Sequence, residues 1–128
     1  MSNFLLDTHA FIWLSEKDSN LPDNLRDMID VADKVFLSIA SLWEIAIKLN
    51  LGKLSLQRDY EIIENELESS DILSLPISFI DTLQIRHLPL HHRDPFDRML
   101  IAQAMNRSLI IISRDSKFDA YPIQRLWK

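Results

Sequence analysis

Residues 109–115 read LIIISRD, a run of four aliphatic side chains that ends in a serine and is followed two positions later by Asp115. A short, uninterrupted apolar run of this kind indicates a strand that is buried on both faces. The pattern recurs at Asn3–Asp7, where three apolar residues lead directly to an aspartate. We therefore predict two buried strands, each with an aspartate at, or just beyond, the carboxyl end of the strand.

Helical periodicity alternates with strand candidates along the rest of the chain. We predict strands at Asn3–Asp7, Val35–Ser38, Ile72–Leu75, Leu109–Ser113 and Gln124–Trp127, and helices at Thr8–Ser15, Pro22–Ala32, Ala40–Leu51, Asp59–Ser69, Phe79–His87, Pro95–Arg107 and, as a short helix, Ser116–Ala120. This alternation favours a three-layer α/β/α sandwich with a mainly parallel central sheet, because parallel neighbours need crossover connections. In such sheets, ligands bind at the carboxyl ends of the strands.

Composition narrows the protein class. The chain has 128 residues, of which 47% are hydrophobic, with one glycine and no cysteine. This length fits one domain, spanning 1–128, around one core. The lack of cysteine excludes a disulfide scaffold, a thiol nucleophile and a zinc–cysteine site, and it fits a reducing cytoplasm. No apolar run is long enough for a membrane span, so we expect a soluble cytoplasmic protein with no membrane segment.

Charge is distributed unevenly. The formal net charge of −5 argues against a protein that holds nucleic acid by bulk electrostatics. Residues 86–117, however, carry six Lys or Arg against three Asp. The segment is therefore locally positive on an acidic chain.

The predicted helix at Ala40–Leu51 carries the third notable acid, Glu44. Apolar residues surround most of this helix and leave a narrow polar stripe of Ser41, Glu44 and Lys48. We expect a largely buried helix, with Trp43 in the core, whose stripe faces something polar. The alternative is a Glu44–Lys48 ion pair on a thin solvent-exposed edge.

The fourth acid, Asp97, lies at a helix start written as Asp94-Pro95-Phe96-Asp97. This order provides an N-cap residue, a proline at the first helical position and an acid at the third. Asp97 also shares a helix face with apolar residues such as Leu100 and Ile101. A carboxylate on a buried face needs a partner.

Asp7 and Asp115 could each serve only as helix caps, but all four acids could also converge at the sheet edge. Two carboxylates about 5 Å apart repel by roughly 3 kcal/mol at an effective dielectric near 20, so an empty cluster is unfavourable. Hard oxygen ligands select Mg²⁺ or Mn²⁺, which serve phosphoryl chemistry by activating water. The hydroxyls of Thr8 and Ser113 are suited to supporting such a site.

The histidines at 87, 91 and 92 lie in a proline-containing connection without helical spacing, so we expect surface or helix-end contacts and leave a metal role open. Basic side chains near the acids could pair with them or meet substrate phosphate. The candidate phosphate contacts are Arg93, Arg98, Arg114 and Lys48.

Four segments carry a resemblance to a known family. They are LLDTHAFIW at 5–13, SLWEIAIK at 41–48, HHRDPFDRMLIAQA at 91–104 and IISRDSKFDAY at 111–121. In this order they resemble the PIN-domain ribonucleases, specifically the VapC-like toxins of type II toxin–antitoxin systems, over essentially the whole chain.

The resemblance implies an endoribonuclease that cuts single-stranded RNA with Mg²⁺ or Mn²⁺. The family's four catalytic, metal-binding acids fall on Asp7, Glu44, Asp97 and Asp115, which leaves Asp94 as the helix cap. The hydroxyl before the last acid, commonly threonine, is serine here. The resemblance also implies a homodimer and a cognate antitoxin whose tail enters the acidic groove.

Two other functions remain open. One is a Mg²⁺-dependent phosphohydrolase with an aspartate nucleophile after the first strand. That chemistry usually needs a second acid two residues later, where this chain has His9. The other is a non-catalytic PIN-like module that binds metal or RNA and uses its acids as structural caps.

Overall fold

The structure, a computed structural model, describes residues 2–128. Its strands are β1 (Asn3–Leu6), β2 (Lys34–Ser38), β3 (Ile72–Leu75), β4 (Ile110–Ile112) and β5 (Gln124–Leu126), and its helices are α1 (Thr8–Ser15), α2 (Asp23–Asp30), α3 (Ile39–Asn50), α4 (Ile63–Ser69), α5 (Phe79–Arg86) and α6 (Pro95–Arg107). Two 3₁₀ helices cover Tyr60–Ile62 and Ser116–Ala120. Each predicted strand and helix is present, with ends displaced by a few residues. The predicted helix at Asp59–Ser69 differs most, since its first turn is 3₁₀.

All strand pairings in the central sheet are parallel, in the order β3-β2-β1-β4-β5. The strand β1 is therefore central, and its neighbours β2 and β4 run in the same direction. The carboxyl ends of all five strands consequently lie at one edge of the sheet. The predicted α/β sandwich with a parallel sheet is confirmed.

Alternate residues of β1 build the two cores on either side of the sheet. Phe4 and Leu6 pack into a core with residues of α1, α2 and α3, and Leu5 packs into the opposite core with residues of α6. Such two-sided burial explains why the strands read as continuous apolar runs. The longest helix, α6, has 13 residues, and no helix within 2–128 has the length and apolar character that a membrane span requires.

The single glycine of the chain, Gly52, follows α3 and closes its carboxyl end. Gly52 has φ +69°, and the amides of Gly52 and Lys53 donate to the carbonyls of Leu49 and Lys48. This left-handed turn satisfies carbonyls that the helix end would otherwise leave open.

The placement predicted for Trp43 in the core is wrong, because its side chain is 58% exposed. Ile39, Ile47 and Leu51 are also exposed and follow at four-residue spacing, so the outward face of α3 is an apolar stripe. The polar stripe faces inward instead, where the side chain of Thr8 contacts Ser41 and Glu44. When a helix is apolar around most of its circumference, its sequence does not indicate which face lies inward. In α3 the polar contacts with α1 determine the inward face.

Candidate active site

Parallel pairing brings Asp7 and Asp115 to the same edge of the sheet. The strands β1 and β4 are neighbours with Leu6 opposite Ile112, and the amide of Asp7 donates to the Ile112 carbonyl at 3.1 Å. Asp7 directly follows β1, and Asp115 lies three residues after β4. The prediction from the two apolar runs is thus confirmed in its topology.

Asp7 is both a helix cap and a buried acid. Its Oδ1 accepts the amide of Ala10 at 2.7 Å, which caps α1, and the residue is only 8% exposed. Burial raises the pKa of the Asp7 carboxyl, against the lowering effects of the Ser113 hydroxyl and the Ala10 amide. The cap and the site are therefore compatible, because the second carboxylate oxygen stays available.

Glu44 projects from α3 toward the same edge and is 5% exposed. The hydroxyl of Thr8 donates to its Oε1 at 2.6 Å, and Lys48 Nζ lies 2.6 Å from its Oε2. The Glu44–Lys48 pair considered from the sequence exists, but it borders the buried cluster rather than a free edge. A hydroxyl and an ammonium thus hold one buried carboxylate.

Asp97 opens α6, capped as predicted by Asp94, whose side chain accepts the amides of Phe96 and Asp97. Burial is the largest cause that raises the pKa of Asp97, to about 8, and the remaining causes are the negative charges of Asp94, Glu44, Asp7 and Asp115. Three of those four charges are the other predicted acids. The structure therefore brings all four predicted carboxylates within electrostatic reach of one another.

Asp115 is the most open of the four acids, with a side chain 41% exposed. Its own carboxylate caps the 3₁₀ helix by accepting the Lys117 amide at 2.9 Å, and its amide donates to the Ser113 hydroxyl oxygen at 2.9 Å. Ser113 thus accepts a hydrogen bond from the Asp115 backbone amide, and its hydroxyl also acts on Asp7 by lowering the pKa of that carboxyl. The supporting role of Ser113 stays a prediction.

His92 joins the cluster, although the sequence did not single it out from its neighbours. Its Nε2 lies 2.9 Å from Asp97 Oδ2 and 3.7 Å from Asp115 Oδ2, and the residue is 8% exposed. These three groups offer one atom each within 4.8 Å of one another. His87 and His91 are exposed instead. In the sequence, the only sign that His92 belongs to the cluster is its position close to Asp94 and Asp97 in the chain. The same is true of His91, and only the conformation of the loop distinguishes the two.

The predicted phosphate contacts occupy different settings. Arg114 is exposed, stacks over Trp13 at 4.7 Å and lines a cavity of about 290 Å³ together with Asp7 and Asp115. Arg98 donates to the carbonyls of four residues before α6, so the structure gives its guanidinium a role in that loop.

Lys48 is paired with Glu44, and Arg93 is exposed next to the cap of α6. All four phosphate contacts stay predictions.

The donor set fits a hard divalent cation. The cluster contains four carboxylates and no thiolate, and burial together with the neighbouring negative charges raises the pKa of Asp97 to about 8. A cation between them would offset this repulsion, and oxygen ligands are those that Mg²⁺ and Mn²⁺ prefer. Asp7, Glu44, Asp97 and Asp115 are the residues that could hold it.

A larger cavity of about 640 Å³ lies beside α4 and β3. Its lining includes Ile39, Leu42 and Leu67, and none of the four carboxylates belongs to it. Size alone therefore does not identify the site, since two of the four acids, Asp7 and Asp115, line the smaller cavity.

Comparison with solved structures supports the fold. Similar chains occur in VapBC2 from Rickettsia felis bound to a promoter DNA fragment (TM-score 0.75, 13% identity, 98% of this chain and 99% of that chain) and in DNA-bound VapBC from Salmonella typhimurium (0.73, 18%, 98% and 98%). A third is part of a toxin–antitoxin complex from Klebsiella pneumoniae (0.65, 16%, 95% and 94%). A search of curated protein sequences finds no match.

A family model settles the relationship at the level of sequence. The model of the PIN domain matches residues 4–124, which include all four carboxylates and the strands that carry two of them. The chain therefore belongs to the PIN domain family.

Proposed function

We propose that the protein is a Mg²⁺- or Mn²⁺-dependent endoribonuclease of the VapC kind, the toxin of a toxin–antitoxin pair. The observation that carries this proposal is the convergence of four carboxylates at one sheet edge, where burial and the neighbouring charges raise the pKa of Asp97 to about 8. Membership of the PIN family supports a nuclease, and the similar fold in a toxin–antitoxin complex supports the toxin role.

In this proposal, the four acids hold the cation. When bound, a divalent cation supplies an activated water molecule and neutralises charge on the scissile phosphate. Thr8 and Lys48 keep Glu44 fixed in place, and Ser113 holds the backbone that carries Asp115. Such fixed ligands keep the site ordered before the substrate arrives.

Substrate binding is expected at the open side of the cluster. Asp115 is partly exposed, and the adjacent Arg114 lies beside the same cavity. We propose that Arg114 receives a phosphate of single-stranded RNA while Trp13, below its guanidinium, stacks the arginine in place.

The phosphohydrolase alternative has less support. Phosphohydrolases with an aspartate nucleophile after the first strand usually carry a second acid two residues later. The side chain two residues later, His9, is exposed and is not an acid.

The test is cleavage of a mixed single-stranded RNA pool with Mg²⁺, Mn²⁺ or EDTA. The Asp7→Asn variant should keep the cap, because asparagine is also a good N-cap residue, but lose cleavage. Asp71→Asn is the matched control, since Asp71 precedes β3 at the opposite edge of the sheet and is exposed. Undiminished cleavage by Asp7→Asn would refute the proposal. A protein that binds Mn²⁺ but cleaves no RNA would favour the non-catalytic module.

Partners follow from the same proposal. We propose that a cognate antitoxin blocks the acidic site and that a second copy of the chain covers the apolar faces of α3 and α5. On α3 the exposed side chains include Trp43, and on α5 they include Phe79 and Ile80, which are 77% and 60% exposed. Apolar surface of this kind marks interaction sites on soluble proteins.

The absence of cysteine is compatible with the cytoplasm, where we propose that the protein acts.

A further inference from the structure

A cluster of aromatic rings lies beside the four acids. His9 and Trp13 are one turn apart on α1, with 5.6 Å between their ring centroids, and the ring of Trp127 lies 5.9 Å from that of Trp13. The guanidinium of Arg114 lies over the Trp13 ring at 4.7 Å. Because α1 begins directly after Asp7, the helix face that carries these rings starts at the carboxyl ends of the strands.

Two of these rings open into the cavity of about 290 Å³. Its lining consists of His9, Trp13 and Arg114 together with two of the four acids, Asp7 and Asp115. His9 and Arg114 are exposed and Trp13 is half-buried, so a ligand can reach both rings from solvent. The volume is close to the lower limit of about 300 Å³ for sites that bind small molecules, so it suits a single small planar group.

Core packing explains only part of the cluster. Trp13 and Trp127 are partly buried and pack against the core that α1, α2 and α3 share. His9, in contrast, is exposed, and its ring lies against Trp13 at the cavity. The core therefore holds Trp13 in place, and an accessible aromatic surface remains beside the acids.

The lining of the cavity combines two kinds of chemistry. Asp7 and Asp115 belong to the cluster that would hold a cation and, through it, a phosphate, whereas the two rings offer π faces and Arg114 a planar cation. A nucleotide presents the matching pair of groups, a phosphate and a planar base. Proteins bind single strands by stacking unpaired bases on aromatic rings and on arginine guanidinium planes. A base within a duplex is already stacked and paired, so only an unpaired base can enter such a cavity.

We propose that this cavity is a subsite for one unpaired nucleobase of the RNA, stacked on the rings of His9 and Trp13 next to the phosphate that is bound at the acids. The inference rests on the proposed function, because it takes RNA as the substrate. Every base has a π face, so the subsite selects an unpaired base rather than one particular base. Stacking uses the face of the ring, so the contribution of His9 does not depend on its charge.

The first test compares two substitutions of His9 in the cleavage of single-stranded RNA. His9→Ala removes one ring of the subsite and should raise KM by about 5-fold or more, whereas His9→Phe keeps a ring and should stay close to the wild type. The alanine variant should fold, because His9 is exposed on a helix. His87→Ala is the matched control, since His87 is also exposed and does not line the cavity. An unchanged KM in His9→Ala, or the same loss in His9→Phe, would overturn the proposal.

The second test removes the base instead of the ring. Binding of a short fluorescent single-stranded RNA is measured by anisotropy with Ca²⁺, another cation that takes oxygen ligands, on RNA that a gel shows to be intact. One base at a time is replaced by an abasic nucleotide. We expect one position at which loss of the base weakens binding to the wild type by about 5-fold or more, and a smaller effect at that position in His9→Ala. Equal effects in both proteins, or no position that depends on its base, would contradict the subsite.

The two proposals can fail separately. Base-dependent binding with this pattern but no cleavage would refute the proposed function alone. Metal-dependent cleavage with the same KM in the wild type and in His9→Ala would refute the base subsite alone. A protein that neither binds nor cleaves single-stranded RNA would overturn both.

Discussion

Replacement of Asp97 by asparagine should stabilise the metal-free protein while it removes Mg²⁺ binding. Burial of the Asp97 carboxyl, together with the negative charges of neighbouring acids, raises its pKa to about 8. Asparagine has nearly the same shape but cannot ionise. The helix keeps its N-cap, because that role belongs to Asp94. Functional sites commonly reduce stability in this way.

The raised pKa gives the magnitude. Keeping the carboxyl protonated at neutral pH, about three units above its ordinary pKa of 3.8, costs about 4 kcal/mol. We therefore expect Asp97→Asn to raise the free energy of unfolding by about 3 kcal/mol without metal.

The pH dependence has a definite sign. Because the folded-state pKa of Asp97 lies above its unfolded value, the folded protein binds more protons between about pH 4 and pH 8. The stability of the metal-free wild type should fall as pH rises through this window. The advantage of Asp97→Asn should be near zero at pH 4 and largest near pH 8. The raised pKa of Asp7 acts in both proteins and largely cancels in the difference.

The assay is urea unfolding in EDTA at several pH values, with Asp71→Asn as the control for loss of one negative charge. Asp71 is exposed and lies at the opposite sheet edge, so its substitution should change stability by less than about 0.5 kcal/mol. An Asp97→Asn variant that is as stable as the wild type at pH 8, or less stable, would show that the folded protein does not disfavour the ionised carboxylate of Asp97 and would refute this account of the site.

Two other predictions concern stability and assembly. Arg107→Leu should destabilise the protein by roughly 3 to 5 kcal/mol in urea unfolding, because it leaves the buried carboxylate of Asp81, now 2.7 Å from the guanidinium, without its ionic partner. Burial tends to raise the pKa of Asp81, but Arg107 and other donors hold it well below its usual range. The wild type should therefore lose the stabilisation from this ion pair as the pH falls below about 4. The Arg107→Leu variant, which lacks the pair, should not show this loss. The paired change Phe79→Ser and Ile80→Ser should convert a dimer to a monomer in analytical ultracentrifugation, whereas Leu90→Ser, at a side chain 72% exposed outside α5, should not. A monomeric wild type would contradict the proposed dimer.

Much of the site followed from local sequence patterns. The apolar runs before Asp7 and before Ser113 identify buried strands. Because parallel strands end at one edge of a sheet, Asp7 and Asp115 were expected at the same edge. Asp94-Pro95 marks the start of α6, and the family resemblance then favours Asp97 over Asp94 as the site residue. These features depend on residues close together in the chain, and this is why the sequence could reveal them.

What the sequence could not provide depends on contacts between distant residues. The side of α3 that faces inward is determined by the hydrogen bonds from Thr8, 36 positions before Glu44. The entry of His92 into the cluster depends on Tyr121, 29 positions later, and on the Arg98 guanidinium. Such long-range contacts leave no periodic signal in the chain.

The most direct test of the central claim compares two quantities in the same buffer: the Mg²⁺ dissociation constant from calorimetry and the Mg²⁺ concentration that gives half-maximal cleavage of single-stranded RNA. The account predicts that the two values agree for the wild type and that both binding and cleavage are lost in Asp7→Asn. Cleavage that persists in EDTA, or in Asp7→Asn, would contradict a metal-dependent nuclease built on these four carboxylates.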